Sequence, residues 1–330
     1  MSRIIGVACS VAVIGLLGCR PASVIGIPQT SADGGQSAVD LALRDSFPDA
    51  LPDATGVRPD LRALTFNTHL FFDTVCDSGR CGPSDFEQVS SPQLLAARAD
   101  AVTQALRSRS ADVVALQEIE NQSAFSAITS RLRDVYPTMV LGETGLPGSI
   151  DVAVLGKGTL LAVRTHRDQI LTRPDGSKTT FSRELLEVHM LLRGQRVVMC
   201  AAHFRSKVSD DPGRRLAEAQ ATRDILLATA AEFPDAVVLL GGDLNDTPSS
   251  PPLEALEISP LLLRVGKDRP LSSIATYSWN GMDQAIDHLL VVRSARASYL
   301  LGTAAAQHDS TRFGLAGSDH AALLADFALH

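Results

Sequence analysis

The stretch VVLLGGDLND, Val237–Asp246, decides how this chain reads. Four apolar residues in a row have the length and composition of a strand buried on both faces, and they run through two glycines into Asp243, Asn245 and Asp246. An apolar strand has no use for a carboxylate and an amide at its end. The same arrangement recurs on either side of it. LRALTF (Leu61–Phe66) alternates as a strand and ends at Asn67. Ala111–Leu116 continues through Gln117 to Glu118, and Val197–Ala202 stops at His203. Asp287 lies within the strand Ala285–Val292, and Asp319-His320 opens the strand Ala321–Phe327. Between strands, Gln93–Arg107 repeats its apolar residues at helical spacing, and Arg214–Ala231 is a second helix, with Pro212-Gly213 as punctuation before it. Alternation of this kind predicts an α/β domain over residues 60–330 and, taken alone, a doubly wound sheet. Strand ends of such folds gather at one edge, where ligands bind. One polar residue there usually caps a loop; six in succession predict a site.

Composition narrows the classes. The 330 residues are 45% hydrophobic and 20% charged, which excludes a disordered chain. Aromatics make up 5%, with a single Trp, against a stacking platform for single-stranded nucleic acid. With 30 basic and 37 acidic residues the net charge is −7, which argues against coating nucleic acid by bulk charge. It leaves room for an enzyme that meets phosphate locally through a metal ion and one or two arginines.

The N-terminus predicts export. Behind Arg3, Ile4–Leu17 carries no charge; it is short of the roughly 20 apolar residues of a membrane span and suits a signal peptide over residues 1–18. Leu16-Leu17-Gly18-Cys19 resembles a bacterial lipobox, which implies lipidation of Cys19. Arg20, where an inner-membrane retention signal would place Asp, implies an envelope lipoprotein of the outer membrane or a secreted protein; an ordinary leader or a buried N-terminal helix is the alternative. Residues 19–59, rich in Pro, Gly, Ser, Ala and Asp, read as a linker. Cys76 and Cys81 bracket a turn-like loop and form a candidate disulfide in an oxidising compartment, two free thiols being the alternative. Cys200 sits in the apolar run VVMCAA and is expected in the core.

Taken in order, Asn67, Gln117-Glu118, Gly242-Asp243-Leu244-Asn245, Asp287 and Ser318-Asp319-His320 resemble the endonuclease/exonuclease/phosphatase superfamily over roughly residues 60–330. The resemblance implies a four-layer α/β/β/α sandwich of two mixed β-sheets. Phe181-Ser182-Arg183-Glu184 and His203 resemble the deoxyribonuclease I branch, and Glu143 in VLGETGLPG matches, in a loose register, the glutamate that orients that branch's histidine. His69 stands where abasic-site enzymes carry an acidic residue, which argues against abasic-site specificity.

Oxygen-rich sites select Mg²⁺, Mn²⁺ or Ca²⁺, so Mg²⁺ or Mn²⁺ is the expected cofactor, with Ca²⁺ as an optional structural ion. The resemblance gives Glu118 and Asp319 as metal ligands, with Asn67 completing the shell or holding phosphate. It pairs His320 with Asp287, makes His203 the second histidine with Glu143 as its orienter, and lets Asp243 position the water or bind a second metal. Asn245 and Arg183 would grip phosphate oxygens, a task that suits a planar guanidinium. His288 follows Asp287 and is expected to face away from the site, because neighbouring side chains in a strand point to opposite faces. The leading expectation is a monomeric endonuclease acting on DNA with little sequence preference, RNA being undistinguished from DNA. A lipid or sugar-phosphate phosphoesterase on the same scaffold is the alternative, and the scarcity of aromatics counts against its membrane-entering form. A binding module that has lost catalysis is the third.

Overall fold

The structure is a computed structural model that describes residues 60–258, 261–294, 296–309 and 314–330. The leader, Cys19 and the linker lie outside the described residues. The chain runs β1 (Leu61–Phe71), α1 (Pro92–Arg109), β2 (Val113–Ile119), α2 (Gln122–Thr129), β3 (Thr138–Gly142), β4 (Asp151–Gly156) and β5 (Thr159–Thr165). The hairpin β6 (Leu171–Thr172) and β7 (Lys178–Thr179) leads to β8 (Leu186–Leu192), β9 (Gln195–His203), α3 (Pro212–Glu232), β10 (Val237–Asp243) and α4 (Pro251–Leu256). After β11 (Leu262–Arg264) and α5 (Leu271–Ile274) comes the hairpin β12 (Tyr277–Trp279) and β13 (Met282–Gln284). The chain closes with β14 (Asp287–Val292), β15 (Ala297–Tyr299), β16 (Ala305–Gln307) and β17 (Ala322–Leu329).

Two mixed sheets result, not one doubly wound sheet. The first has the order β15-β17-β1-β2-β4-β3, with β16 also on β17; the second runs β11-β14-β10-β9-β8-β5. Period-2 alternation decides the layering. Leu61, Ala63, Val113 and Ala115 of the first sheet meet Val197, Met199, Val237 and Leu239 of the second in a buried core between the sheets. The next residue along each strand points the other way. Leu64, Phe66, Val114 and Leu116 pack under α1 and α2. Val198, Cys200, Val238 and Leu240 pack under α3 and α4. Four layers, α/β/β/α, follow from strands that are apolar on both faces. Gly241 marks how closely the sheets approach: a Cβ there would stand 3.1 Å from the Ala115 Cβ of the other sheet.

Local signals end the helices where the sequence suggests, with one difference. Ser91 caps α1 by accepting from Leu94 N at 3.1 Å, and Pro92 opens the helix. Pro212 and Gly213 belong to the first turn of α3 and do not precede it. Asp211 is the cap, accepting from Arg214 N at 2.9 Å, and a proline at the first helical position gives up no hydrogen bond. Cys76 and Cys81 are joined by a disulfide in the β1–α1 loop, and Cys200 is buried.

Register gathers the polar residues. β1 and β2 are parallel and set Asn67 opposite Gln117. β9 and β10 are parallel and set His203 level with Asp243. β14 is antiparallel to β10, so its first residue, Asp287, pairs with Asp243 as well. β17 is antiparallel to β1, which brings the loop before it, with Ser318, Asp319 and His320, to the end of β1.

Candidate active site

The first sheet supplies Asn67 and Glu118. Asn67 is fully buried, and its Nδ2 donates to Glu118 Oε1 and to Asp243 Oδ2, both at 3.0 Å, so one amide ties the two sheets together. Glu118 sits on an irregularity of β2 with φ of 65°, a conformation that costs a non-glycine residue energy and concentrates at functional sites. That backbone turns the carboxylate into the site, where Glu118 Oε2 accepts from Leu70 N at 2.7 Å. His69 and Leu70 also have positive φ. Arg98 of α1 holds this strained stretch by donating to the carbonyls of Thr68, His69 and Leu70.

The second sheet supplies His203, Asp243 and Asp287, and the loop before β17 of the first sheet supplies Ser318 and His320. Asp243 Oδ1 accepts from Asn245 N at 2.8 Å. His203 Nε2 stands 3.6 Å from Asp243 Oδ2 and 3.9 Å from Glu118 Oε1. Asp287 Oδ2 and His320 Nδ1 are 2.8 Å apart, and the His320 ring lies against Tyr277 with centroids 4.8 Å apart. Ser318 Oγ donates to the Asn67 carbonyl at 2.7 Å and accepts from His320 N at 2.9 Å, which fixes the approach of the β17 loop. Arg183 Nη1 and Asn245 Nδ2 both donate to the carbonyl of Phe204, the residue after His203, at 3.2 and 3.1 Å. Buried Glu218 of α3 binds Ser182 N and Arg205 N, pinning the segments that carry Arg183 and His203.

Burial and charge pull these groups apart in proton affinity. Burial raises Asp243 to about 7, reinforced by the Asp287 carboxylate. Burial alone would lower His320, but the Asp287 charge and hydrogen bond, with Asp243 and Asp319, outweigh it and hold the ring at about 10. Burial, with Arg183 and His320 nearby, keeps His203 well below its ordinary value. Asp319 is lowered: burial would raise it, and the hydrogen bond from His69 with the charge of His320 prevails.

The endonuclease/exonuclease/phosphatase family model matches residues 64–320. The chain belongs to the endonuclease/exonuclease/phosphatase family. Solved structures show the same fold at low identity. The human nocturnin catalytic domain with bound sulfate matches at TM-score 0.60 and 15% identity, over 83% of this chain and 96% of that one. D. rerio TDP2 complexed with a single-strand DNA product matches at 0.54 and 15%, over 81% and 98%. The mannosyl-6-phosphatase of Bacteroides thetaiotaomicron matches at 0.55 and 13%, over 81% and 99%. No curated protein matches the chain. Enzymes of this family hydrolyse phosphoesters and are generally divalent-metal dependent.

The side chains fit a hard cation. Among the described residues, Glu118, His203 and Asp243 form one group whose ligand atoms lie within 4.8 Å of one another, and Asp243, Asp287 and His320 form a second. Asp287 Oδ1 is buried without a hydrogen-bond partner, a cost that a cation would relieve. Glu118 and Asp243 offer the oxygen donors that Mg²⁺ or Mn²⁺ prefers. Asn67 does not complete that shell as expected: its Oδ1 accepts from His69 N at 2.9 Å and its Nδ2 faces the two carboxylates. Two other expected partnerships are absent. Asp319 does not join Glu118 in either group; its Oδ1 is 2.8 Å from His69 Nδ1. Glu143 does not orient His203: its Oε1 accepts from Gln122 N at the start of α2, and His203 Nδ1 has no hydrogen-bond partner among the described residues. The reason is topological. Glu143 follows β3, the edge strand, two places out from the β2 that carries Glu118.

His288 faces away from the site as its strand position demands, its Nε2 2.9 Å from the Asp246 carbonyl oxygen. Sequence reasoning gave no role to Ser318, Arg98, Tyr277 or Glu218. Ser318 stood in the SDH triplet, and its small hydroxyl was the available signal. Tyr277 carries none, because its contact with His320 exists only after the hairpin folds over the β17 loop.

Proposed function

We propose that this chain is an exported, divalent-metal-dependent phosphodiesterase, an endonuclease that hydrolyses DNA with little sequence preference and works as a lipid-anchored monomer of the cell envelope. The supporting observation is the convergence on one edge of two opposite halves of a phosphodiesterase site: Asn67 bridging Glu118 and Asp243, and the Asp287–His320 pair across from them. A cation held by Glu118 and Asp243 would neutralise charge on the phosphoryl oxygens. Asp243 Oδ2, beside His203 Nε2, is placed to orient the attacking water and take its proton. Asp287 holds His320 by Nδ1, leaving Nε2 to donate to a phosphoryl oxygen. Arg183 and Asn245, set side by side on the Phe204 carbonyl, would grip the remaining oxygens. A neighbour with this fold is described in complex with a single-strand DNA product.

The test is nicking of supercoiled plasmid by purified protein in Mg²⁺ or Mn²⁺, with and without chelator. Metal-dependent open circles support the proposal, and intact plasmid under every metal overturns it. One observation favours a second reading, a phosphoesterase working at a lipid surface. The only Trp of the chain, Trp279, and Met282 are 56% and 60% exposed at the tip of the β12–β13 hairpin, whose base carries Tyr277. Hydrolysis of sphingomyelin or phosphoinositide vesicles by protein that leaves plasmid intact would establish it.

A further inference from the structure

A cavity of about 350 Å³ opens beside the carboxylate cluster and not at it. Its walls come from the segment after Asn245, the segment before Asp287 and the stretch Arg264–Ile274 between them. Thr247 lies two residues after Asn245, and Gln284 lies three before Asp287. Arg264 and Lys267 line it too, but both are bound to Glu257. Four other polar side chains of the lining, Thr247, Arg269, Asp283 and Gln284, make no side-chain hydrogen bond among the described residues. Arg269 and Asp283 are half-buried, and with Nε of the one and Oδ1 of the other covered, the Arg269 terminal nitrogens and Asp283 Oδ2 are the atoms left to meet a ligand. Unsatisfied groups of this kind cost stability unless something completes them. The remaining walls include the aliphatic side chains of Leu271 and Ile274.

A phosphate would satisfy Arg269 but be repelled by the Asp283 carboxylate. A ligand that satisfies both must present N–H donors and a carbonyl or ring-nitrogen acceptor, with flat apolar faces for the aliphatic walls. A nucleobase does so, and guanine offers the fullest set: N1–H and the 2-amino group of its pairing edge to a carboxylate, O6 and N7 of the adjacent edge to a guanidinium. We propose that this cavity is a subsite for one unpaired nucleobase of the substrate, guanine best of all, next to the nucleotide whose phosphodiester is cut. The inference rests on the nuclease reading and deepens it. The two N–H groups that Asp283 would take are used in base pairing, so the base must be unstacked and unpaired, and single-stranded DNA becomes the preferred substrate. One base contact biases cleavage by a few-fold to about tenfold, compatible with little overall sequence preference.

Calorimetric titration of the full chain with guanosine tests the site independently of cleavage. Guanosine is expected to bind with a Kd of about 1 mM or tighter. Arg269→Ala, Asp283→Ala and Asp283→Asn should each weaken it at least fivefold, with the thermal midpoint of each variant confirming that it folds. Cleavage ladders of end-labelled single strands should show the matching bias at one flanking position, lost in the same variants. Absence of guanosine binding, or binding indifferent to these substitutions, overturns the proposal. Binding of inorganic phosphate alone, or of mannose in place of guanosine, overturns it in favour of an anion or sugar pocket. Metal-dependent cleavage of plasmid and of single strands is read separately from guanosine binding, so loss of the nuclease reading is distinguishable from loss of the subsite.

Discussion

At the scale of single residues, Asn67 and His320 carry the most. His320→Ala removes the imidazole that Asp287 holds in place, and kcat should fall at least about 100-fold; the fully buried Asp287 carboxylate loses its partner, so the thermal midpoint should fall as well. Full activity in that variant would remove His320 from the chemistry. Asn67→Ala acts elsewhere in the site. It deletes the donor shared by Glu118 and Asp243 and leaves two carboxylates facing each other with no amide between them, so stability should drop by about 2–3 kcal/mol together with activity. Denaturant midpoints read the first effect and steady-state kinetics the second. Glu143→Gln should keep activity within about threefold, since its carboxylate serves the α2 terminus through one hydrogen bond. A collapse of kcat in that variant would restore the orienting role that its sequence context suggests. The types of residue at strand ends were legible in the sequence. Their partnerships were not, because hydrogen bonds across 176 residues, as between Asn67 and Asp243, leave no local pattern.

At the scale of elements, two features bind strands to their neighbours. Gly242 lies between β9 and β14 one residue before Asp243, and a Cβ there would collide with the Ala202 carbonyl oxygen, backbone that cannot rotate away. Gly242→Ala should therefore cost about 2–3 kcal/mol and impair catalysis by displacing Asp243 from His203, checked by thermal melting and by kcat. The second feature is Glu187 of β8, fully buried, which takes hydrogen bonds from His166, His189 and Thr229 of α3. Burial would raise its pKa, but these hydrogen bonds and the charge of His189 hold it down at about 2. A carboxylate depressed in the folded state contributes stability above its unfolded pKa near 4.5, and that contribution drains away as pH falls from there towards 2. Glu187→Gln should remove about 2–3 kcal/mol at neutral pH and flatten the acid limb of the stability curve. Urea midpoints between pH 2 and 7 would show it. His189 lies two residues from Glu187 on the same face of β8, but His166, just past the end of β5, and Thr229 of α3 reach it only through tertiary packing.

At the scale of the whole molecule, the site exists because two sheets meet. Glu118 rides on one sheet and His203, Asp243 and Asp287 on the other, so a cation bound among them bridges the halves of the fold. Chelation should abolish hydrolysis, and restoring Mg²⁺ or Mn²⁺ should raise the thermal midpoint. A ligand at 100 times its Kd adds about 2.7 kcal/mol to the native state. A midpoint that ignores the metal would place the cation outside this seam. Among the described residues no helix is long and apolar enough to cross a membrane.

By itself the sequence determined the long central strands, the helices α1 and α3 and the polar residue at each of those strand ends, because apolar periodicity is local; the short strands and helices carry too few residues to show a period. It offered Cys76 and Cys81 as a candidate disulfide, and the folded loop joins them. Tertiary structure alone decided that there are two sheets and not one, that Asp319 serves His69, that Glu143 stays at α2, and that Arg269 and Asp283 face a common cavity. Those outcomes depend on which sheet face meets which, a choice made by packing between residues far apart in the chain.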